Sequence, residues 1–287
     1  MTMIPAQACD CHVHVVGDPL AYPMLPDRPY TAGIATVADL RAHLARIGFR
    51  RAVIVQPSFY GTDNRCLLDA LREMEGDARG IAVLDPSVSD AELARMDEAG
   101  VRGIRLNLES RGLSDTRQLA DTLRQWAGRI ADFGWHLQVY AAWPVIRSCL
   151  PWLGSLPAPV VIDHFGLVPL AGDAAGRDGG QDGDLLAQAL AAGNLHVKLS
   201  GSYRVPGASP AGIKQLARKL LAANADNVVW ASDWPHTNRE PGKAPTEVSA
   251  YRDIQPSRLL AEIAEWLPDK DTARKVLQEN PERLYRF

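Results

Sequence analysis

Short apolar or β-branched runs recur along the chain: "ACDCHVHV" (8–15), "RAVIVQPS" (51–58), "GIAVLDPS" (80–87), "GIRLNLES" (103–110), "HLQVYAAW" (136–143), "VVIDHFG" (160–166), "LHVKLSG" (195–201) and "NVVWASDWPH" (227–236). Each has the length and residue bias of a buried strand. Between most of them the apolar positions change to helical spacing, as in "TVADLRAHLARIG", "SDAELARMDEAG", "TRQLADTLRQWAGRIADFG" and "AGIKQLARKLLAAN". Several of these open on a capping residue and close on glycine, as Ser89 and Gly100 do. Eight strand-then-helix units predict an α/β fold, a single-domain (β/α)8 TIM barrel over 1–287, because an open doubly wound sheet more often uses about five to seven strands. "PLAGDAAGRDGGQDGD" reads as a long loop after the sixth strand, and His236 to Gln255 as another after the eighth.

Composition narrows the class. With 46% hydrophobic and 23% charged residues, the chain has ample material for a large core. A net charge of −3 offers no basic excess for nucleic acid or an acidic membrane, so neither is expected as a partner. No run of about 18 apolar residues occurs, and "MTMIPAQACD" lacks the basic start and apolar middle of a signal peptide, so the expected location is cytoplasmic. The four cysteines, Cys9, Cys11, Cys66 and Cys149, are too scattered for a disulfide framework and are expected to be free thiols.

In such a barrel the βα loops at the C-terminal strand ends carry the chemistry. That rule selects His12 and His14, Gln56 and Ser58, Asp85, then Arg105, Asn107 and Arg111. It continues with Tyr140, Asp163 and His164, Ser200 and Arg204, and Asp233 with His236. Any one of these alone reads as a capping or surface residue. Three histidines, several arginines and an aspartate on one rim describe a polar pocket for a small anionic substrate. Strand alternation puts Asp10, His12 and His14 on one face and Cys9, Cys11 and Val13 on the other. Histidines facing the barrel interior would then turn the thiols toward the helices, and a mixed Cys/His metal site is not expected.

A first strand ending in His-x-His, "DHFG" at strand six and "SDWPH" at strand eight together resemble the amidohydrolase superfamily, in its amidohydrolase-2 branch. The likeness spans essentially the whole chain, to the closing "KVLQENPERLYRF". Within the branch, "DCHVHVVGDP", "PDRPYT", "GVRGIRLNLESR", "GWHLQVY", "KLSGSYR" and "SDWPHTN" look most like its lactonases. The resemblance implies hydrolysis of a lactone such as 2-pyrone-4,6-dicarboxylate or a related dicarboxylate or sugar-acid lactone. It implies His12, His14 and His164 polarising the carbonyl and Asp233 as general base. It also implies Arg105, Arg111, Arg204, Tyr30 and Tyr140 as carboxylate contacts, with Ser58 where a second-strand contact is expected.

Binuclear members of the superfamily use a lysine on strand four, and mononuclear ones usually a histidine at the end of strand five. Here those strands end in "RLNLES" and "LQVYAAW". His136 begins strand five, some 13 Å from its C-terminal end, and is expected at the opposite pole. The resemblance to the lactonases thus implies no cofactor. By counting, His12, His14 and Asp233 still supply the three protein ligands that one divalent metal such as zinc needs. A metal-dependent hydrolase or decarboxylase is therefore the alternative expectation, and a non-catalytic binding barrel would lack this combination of base and anion-binding groups.

Overall fold

A computed structural model of the protein describes residues 4–107, 116–170 and 179–287. Eight parallel strands lie side by side in chain order: Cys9–Val13, Arg51–Val55, Ala78–Ala82, Val101–Asn107, His136–Tyr140, Val160–Ile162, Leu195–Leu199 and Val228–Trp230. Helices α1 (Val37–Ile47), α2 (Arg65–Glu73), α3 (Asp90–Glu98), α4 (Thr116–Ile130), α5 (Trp143–Leu153), α6 (Gly179–Ala191), α7 (Pro210–Asn224) and α8 (Pro256–Trp266) alternate with them. Local chemistry sets their starts. Thr36 and Asp39 form a reciprocal capping box at α1, and Ser89 and Ser209 accept backbone N–H groups at the starts of α3 and α7. Among the described residues no helix is long and apolar enough to cross a membrane.

The last strand closes onto the first just beyond its own end. Asp233 N donates to His12 O at 3.1 Å, and His14 N donates to Trp234 O at 2.8 Å. The (β/α)8 barrel read from the sequence is thereby formed, with a seam made by Trp234 and three residues already singled out for chemistry.

The first strand departs from simple alternation. Asp10 pairs with Ala52 but Val13 pairs with Ile54, so one extra residue is accommodated between them. This bulge leaves Cys11 and His12 both facing inward. The expectation that the thiols face the helices is therefore overturned. Cys9 and Cys11 pack in the barrel interior with Val53, Val55, Ile81, Val161 and Val229, and the cluster extends to Tyr285. Asp10 instead points outward, where it faces His43 of α1 at 3.4 Å and accepts from Ser232 N at 2.9 Å. All four cysteines are free and buried, as expected.

Two loops depart from the expected bounds. Helix α6 begins at Gly179, inside the segment read as a loop to Asp184, with Asp182 in its first turn complementing the helix dipole. Within the loop after the last strand, Val248–Ser249 pairs in parallel with Thr31–Ala32, so two loops that border the barrel mouth are tied together.

His136 lies at the N-terminal pole, against the Tyr285 ring, with Gly103 leaving room for its imidazole. His196, on the seventh strand, is also buried, and burial holds it at about 4, below the usual 6.5. Between those values the unfolded chain binds a proton that the folded chain refuses, so stability falls as pH drops from 6.5 to 4. The shift corresponds to about 3 kcal/mol. Thermal midpoints measured across this window should fall less steeply for His196→Gln than for the parent protein; parallel curves would contradict the assignment.

Candidate active site

His12 and His14 leave the first strand on either side of Val13, and the bulge aims both at the barrel axis. His14 Nδ1 lies 2.7 Å from the Val55 carbonyl, which can only accept, so that nitrogen carries the proton and Nε2 presents a lone pair. His12 Nδ1 lies 3.2 Å from Asp163 Oδ1, and donation to that carboxylate leaves the His12 Nε2 lone pair facing inward as well. The two Nε2 atoms are 3.3 Å apart.

Beneath them lies a buried charged layer. Asp163 ends the sixth strand with no exposed surface, and its oxygens face Lys198 Nζ at 3.4 Å, Gln138 Nε2 at 3.0 Å and Arg105 Nε at 3.4 Å, besides His12. Lys198 also donates to Gln138 Oε1 at 2.7 Å. Burial opposes ionisation of Asp163, but the Lys198 ammonium and His12 outweigh it and hold the carboxyl well below its usual range. This layer keeps Asp163 an acceptor, and through it sets the His12 tautomer.

Asp233 sits in a sharp turn at φ 65°, and His164, across the barrel, at φ 51°. Such left-handed geometry costs on the order of 1 kcal/mol or more and concentrates where function dictates side-chain direction. Asp233 Oδ2 accepts from Tyr203 Oη at 2.7 Å and from Arg204 Nε. Oδ1 is buried with no hydrogen-bond partner. It is 3.9 Å from His12 Nε2, 4.0 Å from His14 Nε2 and 3.9 Å from His164 Nε2. Burial would raise the Asp233 pKa, but the Arg204 guanidinium reverses that and presses it far below the carboxylate range. Burial also lowers His14 and His164 to about 4, so both are neutral near pH 7. His164 Nδ1 meets Ser200 Oγ at 2.8 Å. Gly201, at φ +55°, allows this crowding: a Cβ there would sit 2.9 Å from His164 Nδ1 and 3.3 Å from Asp233 Oδ2.

Above this cluster opens a cavity of about 350 Å³. Its walls include His14, Tyr30, Ser58, Arg105, Asn107, Tyr140, His164, Arg204 and Asp233, so most of the residues picked from the sequence meet there. His12 lies just below. Arg111 lies outside the described residues. Asp85 bonds its own turn at Ser87, Gln56 donates to the Gly61 and Asp63 carbonyls, and His236 packs near His43, so these three are not cavity walls. Arg204 faces the cavity but is engaged at Nε by Asp233 and at Nη2 by Thr237. Arg239 and Arg252, in the loop after the eighth strand, complete the wall and were not among the residues the strand-end rule selects. Lys198, Gln138 and Tyr203 also escaped it. A lysine inside the strand "LHVKLSG" was the available signal for the first.

His12, His14 and Asp233 also form a donor set for a metal. Zinc ligands lie about 2.0 to 2.2 Å from the ion, which keeps tetrahedral neighbours a little over 3 Å apart. The 3.3 Å imidazole separation matches that spacing, and the unpartnered Asp233 oxygen, 3.9 and 4.0 Å from the two nitrogens, would complete the set by drawing in about half an ångström.

Fold and site together define a (β/α)8 barrel enzyme whose histidines and a terminal-strand aspartate converge on one point. A family described as Amidohydrolase matches residues 9–287, and the chain belongs to this amidohydrolase-2 family. It is 33% identical to the 2-pyrone-4,6-dicarboxylate hydrolase of Comamonas testosteroni, over 98% of this chain and 91% of that one. It is 30% identical to the 4-sulfomuconolactone hydrolase of Hydrogenophaga intermedia, over 99% and 90%. The crystal structure of a putative 2-pyrone-4,6-dicarboxylic acid hydrolase from Pseudomonas putida superposes with a TM-score of 0.79, at 31% identity over 99% and 98%.

Removing Lys198 leaves the buried Asp163 charge undercompensated. Lys198→Met should destabilise the fold by about 3 to 5 kcal/mol in urea unfolding; a loss below 1 kcal/mol would show that the other partners suffice.

Proposed function

We propose that the protein hydrolyses the lactone ring of a small carboxylated substrate, of the class of 2-pyrone-4,6-dicarboxylate, using a water activated by Asp233. One observation carries this reading: the free Asp233 oxygen faces three imidazole nitrogens at 3.9 to 4.0 Å, at the floor of a cavity walled by Arg105, Arg204, Arg239 and Arg252. The relatives named as lactone hydrolases support the same reaction.

The site divides the work. Asp233 Oδ1 and the His12 and His14 nitrogens are all acceptors, and a water is the smallest neutral group that satisfies two of them while keeping a lone pair for attack. As its oxygen bonds to the lactone carbonyl carbon, the water gives up one proton to this acceptor cluster. Asp233, with its depressed pKa, is a weak base alone, so the neighbouring imidazoles share the load. An imidazole that has taken the proton becomes a donor, and so stabilises the oxyanion only once charge has formed. His164 is suited to donate earlier: the Ser200 hydroxyl can donate to its Nδ1, which leaves the proton on Nε2 for the carbonyl oxygen. The carbonyl π electrons move onto that oxygen, and they return as the ring C–O bond breaks. An enol-lactone leaving group departs as a stabilised enolate and needs little protonation.

Arg105, Arg239 and Arg252 are assigned to the substrate carboxylates, with Tyr30, Tyr140 and Ser58 as hydroxyl partners. Arg204, engaged with Asp233, serves chiefly to fix the base. A second reading rests on the acceptor geometry: His12, His14 and Asp233 would hold a divalent cation, which supplies Lewis acidity toward a bound oxygen. Tyr140 ends the strand where mononuclear relatives usually place a histidine, which favours the metal-independent reading. Lactone opening should persist after exhaustive chelation with metal content verified as nil; activity that vanishes and returns with added metal would favour the second.

Asp233→Asn should lower kcat for 2-pyrone-4,6-dicarboxylate by about 10²- to 10⁴-fold with little change in KM. Near-parental turnover would remove Asp233 as base. Arg105→Met should raise KM by about 10- to 100-fold, the worth of one charge-assisted contact, whereas Arg204→Met should lower kcat as well. Equal, purely KM effects in both variants would contradict the separation of their roles.

A further inference from the structure

A second cavity, of about 640 Å³, adjoins the catalytic one. The two share Tyr140 and Arg204 as walls, so they meet at that pair of side chains. One side is helix α5, which presents Trp143, Pro144, Arg147 and Ser148. The other side carries Leu167, Pro169 and Pro206 from the loops after the sixth and seventh strands. Its character differs from that of the catalytic cavity. Of the two arginines among the described residues at its edge, Arg147 faces Asp182 at 3.8 Å and Arg204 is matched by Asp233. Neither offers an uncompensated charge, so the walls favour an apolar guest over a further carboxylate. Trp143 adds a buried indole N–H without a hydrogen-bond partner.

We propose that this cavity is a second substrate subsite, taking an aryl or alkyl substituent carried by the ring that the catalytic cavity holds. The proposal rests on the reading of the catalytic cavity as a site for carboxylated rings. Tyr140 is the hinge of the arrangement: it borders both spaces and stands edge-on to His164, with ring centroids 5.2 Å apart, so a substituent passing it extends from a ring that lies over the catalytic imidazoles. A substrate without such a group leaves the surfaces of Pro144, Pro169 and Pro206 uncovered, with the edges of the largely buried Trp143 and Leu167 between them. Covering them is the apolar burial that drives association.

Binding of benzene-1,3-dicarboxylate, which reproduces the meta carboxylates of the pyrone on a planar six-membered ring, tests this without relying on turnover. Calorimetric titration compares it with its 4-phenyl and 5-phenyl derivatives. At least one derivative should bind about 10-fold or more tightly than the parent ring. Ser148→Trp, which fills the cavity from an exposed helix position, should abolish that gain and leave affinity for the parent ring within about 2-fold. Ala142→Trp fills it from the helix start and serves if the first variant does not fold. No gain from either phenyl group, or a gain that survives filling, overturns the subsite. Parallel assays with 2-pyrone-4,6-dicarboxylate separate the two readings: failure to open any lactone overturns the hydrolase assignment, while the phenyl discrimination decides the subsite by itself.

Discussion

The site depends on the seam at which the barrel closes. Two backbone hydrogen bonds, Asp233 N to His12 O and His14 N to Trp234 O, join the last strand to the first at the level of the chemistry. Asp10 reinforces them, since its outward carboxylate accepts from Ser232 N at 2.9 Å and is 3.4 Å from His12 N. The separation of His12, His14 and Asp233 is thereby a property of the backbone rather than of side-chain choice. The bulge belongs to the same device, because without the extra residue His12 would follow Asp10 to the outer face.

Two carboxylates are then buried on opposite sides of the His12 ring, and the structure treats them differently. Asp163 has partners on both oxygens, and the ammonium, amide and imidazole around it fix it as a static acceptor. Asp233 is held on one oxygen only, by Arg204 and Tyr203, while the other is buried among three imidazoles without a hydrogen-bond partner. A buried charge without a full set of partners is costly, so an unsatisfied oxygen beside three nitrogens marks where a reacting group belongs. In the proposed mechanism Asp163 is the scaffold and Asp233 the working group.

The fold was legible because eight apolar runs alternate with helical spacing, and the rim was legible because strand ends in such barrels carry function. Alternation failed in "DCHVH" for a physical reason: a bulge changes side-chain direction by one position without altering composition, so Cys11 and His12 share a face that period-two counting assigns to one of them. Lys198 is not selected by the strand-end rule, since its role depends on Asp163 and Gln138 from other strands. Arg239 and Arg252 line the cavity from a loop that is tied to Thr31–Ala32, a pairing across more than two hundred residues that local pattern does not encode.

The central claim is that a water held at Asp233 Oδ1 attacks the lactone carbonyl carbon. Opening 2-pyrone-4,6-dicarboxylate in ¹⁸O-enriched water under single-turnover conditions tests it most directly, with the product read by mass spectrometry. One ¹⁸O atom located in the newly formed carboxylate is the predicted result. An unlabelled product, an isomeric lactone, or label absent from that carboxylate would contradict the account.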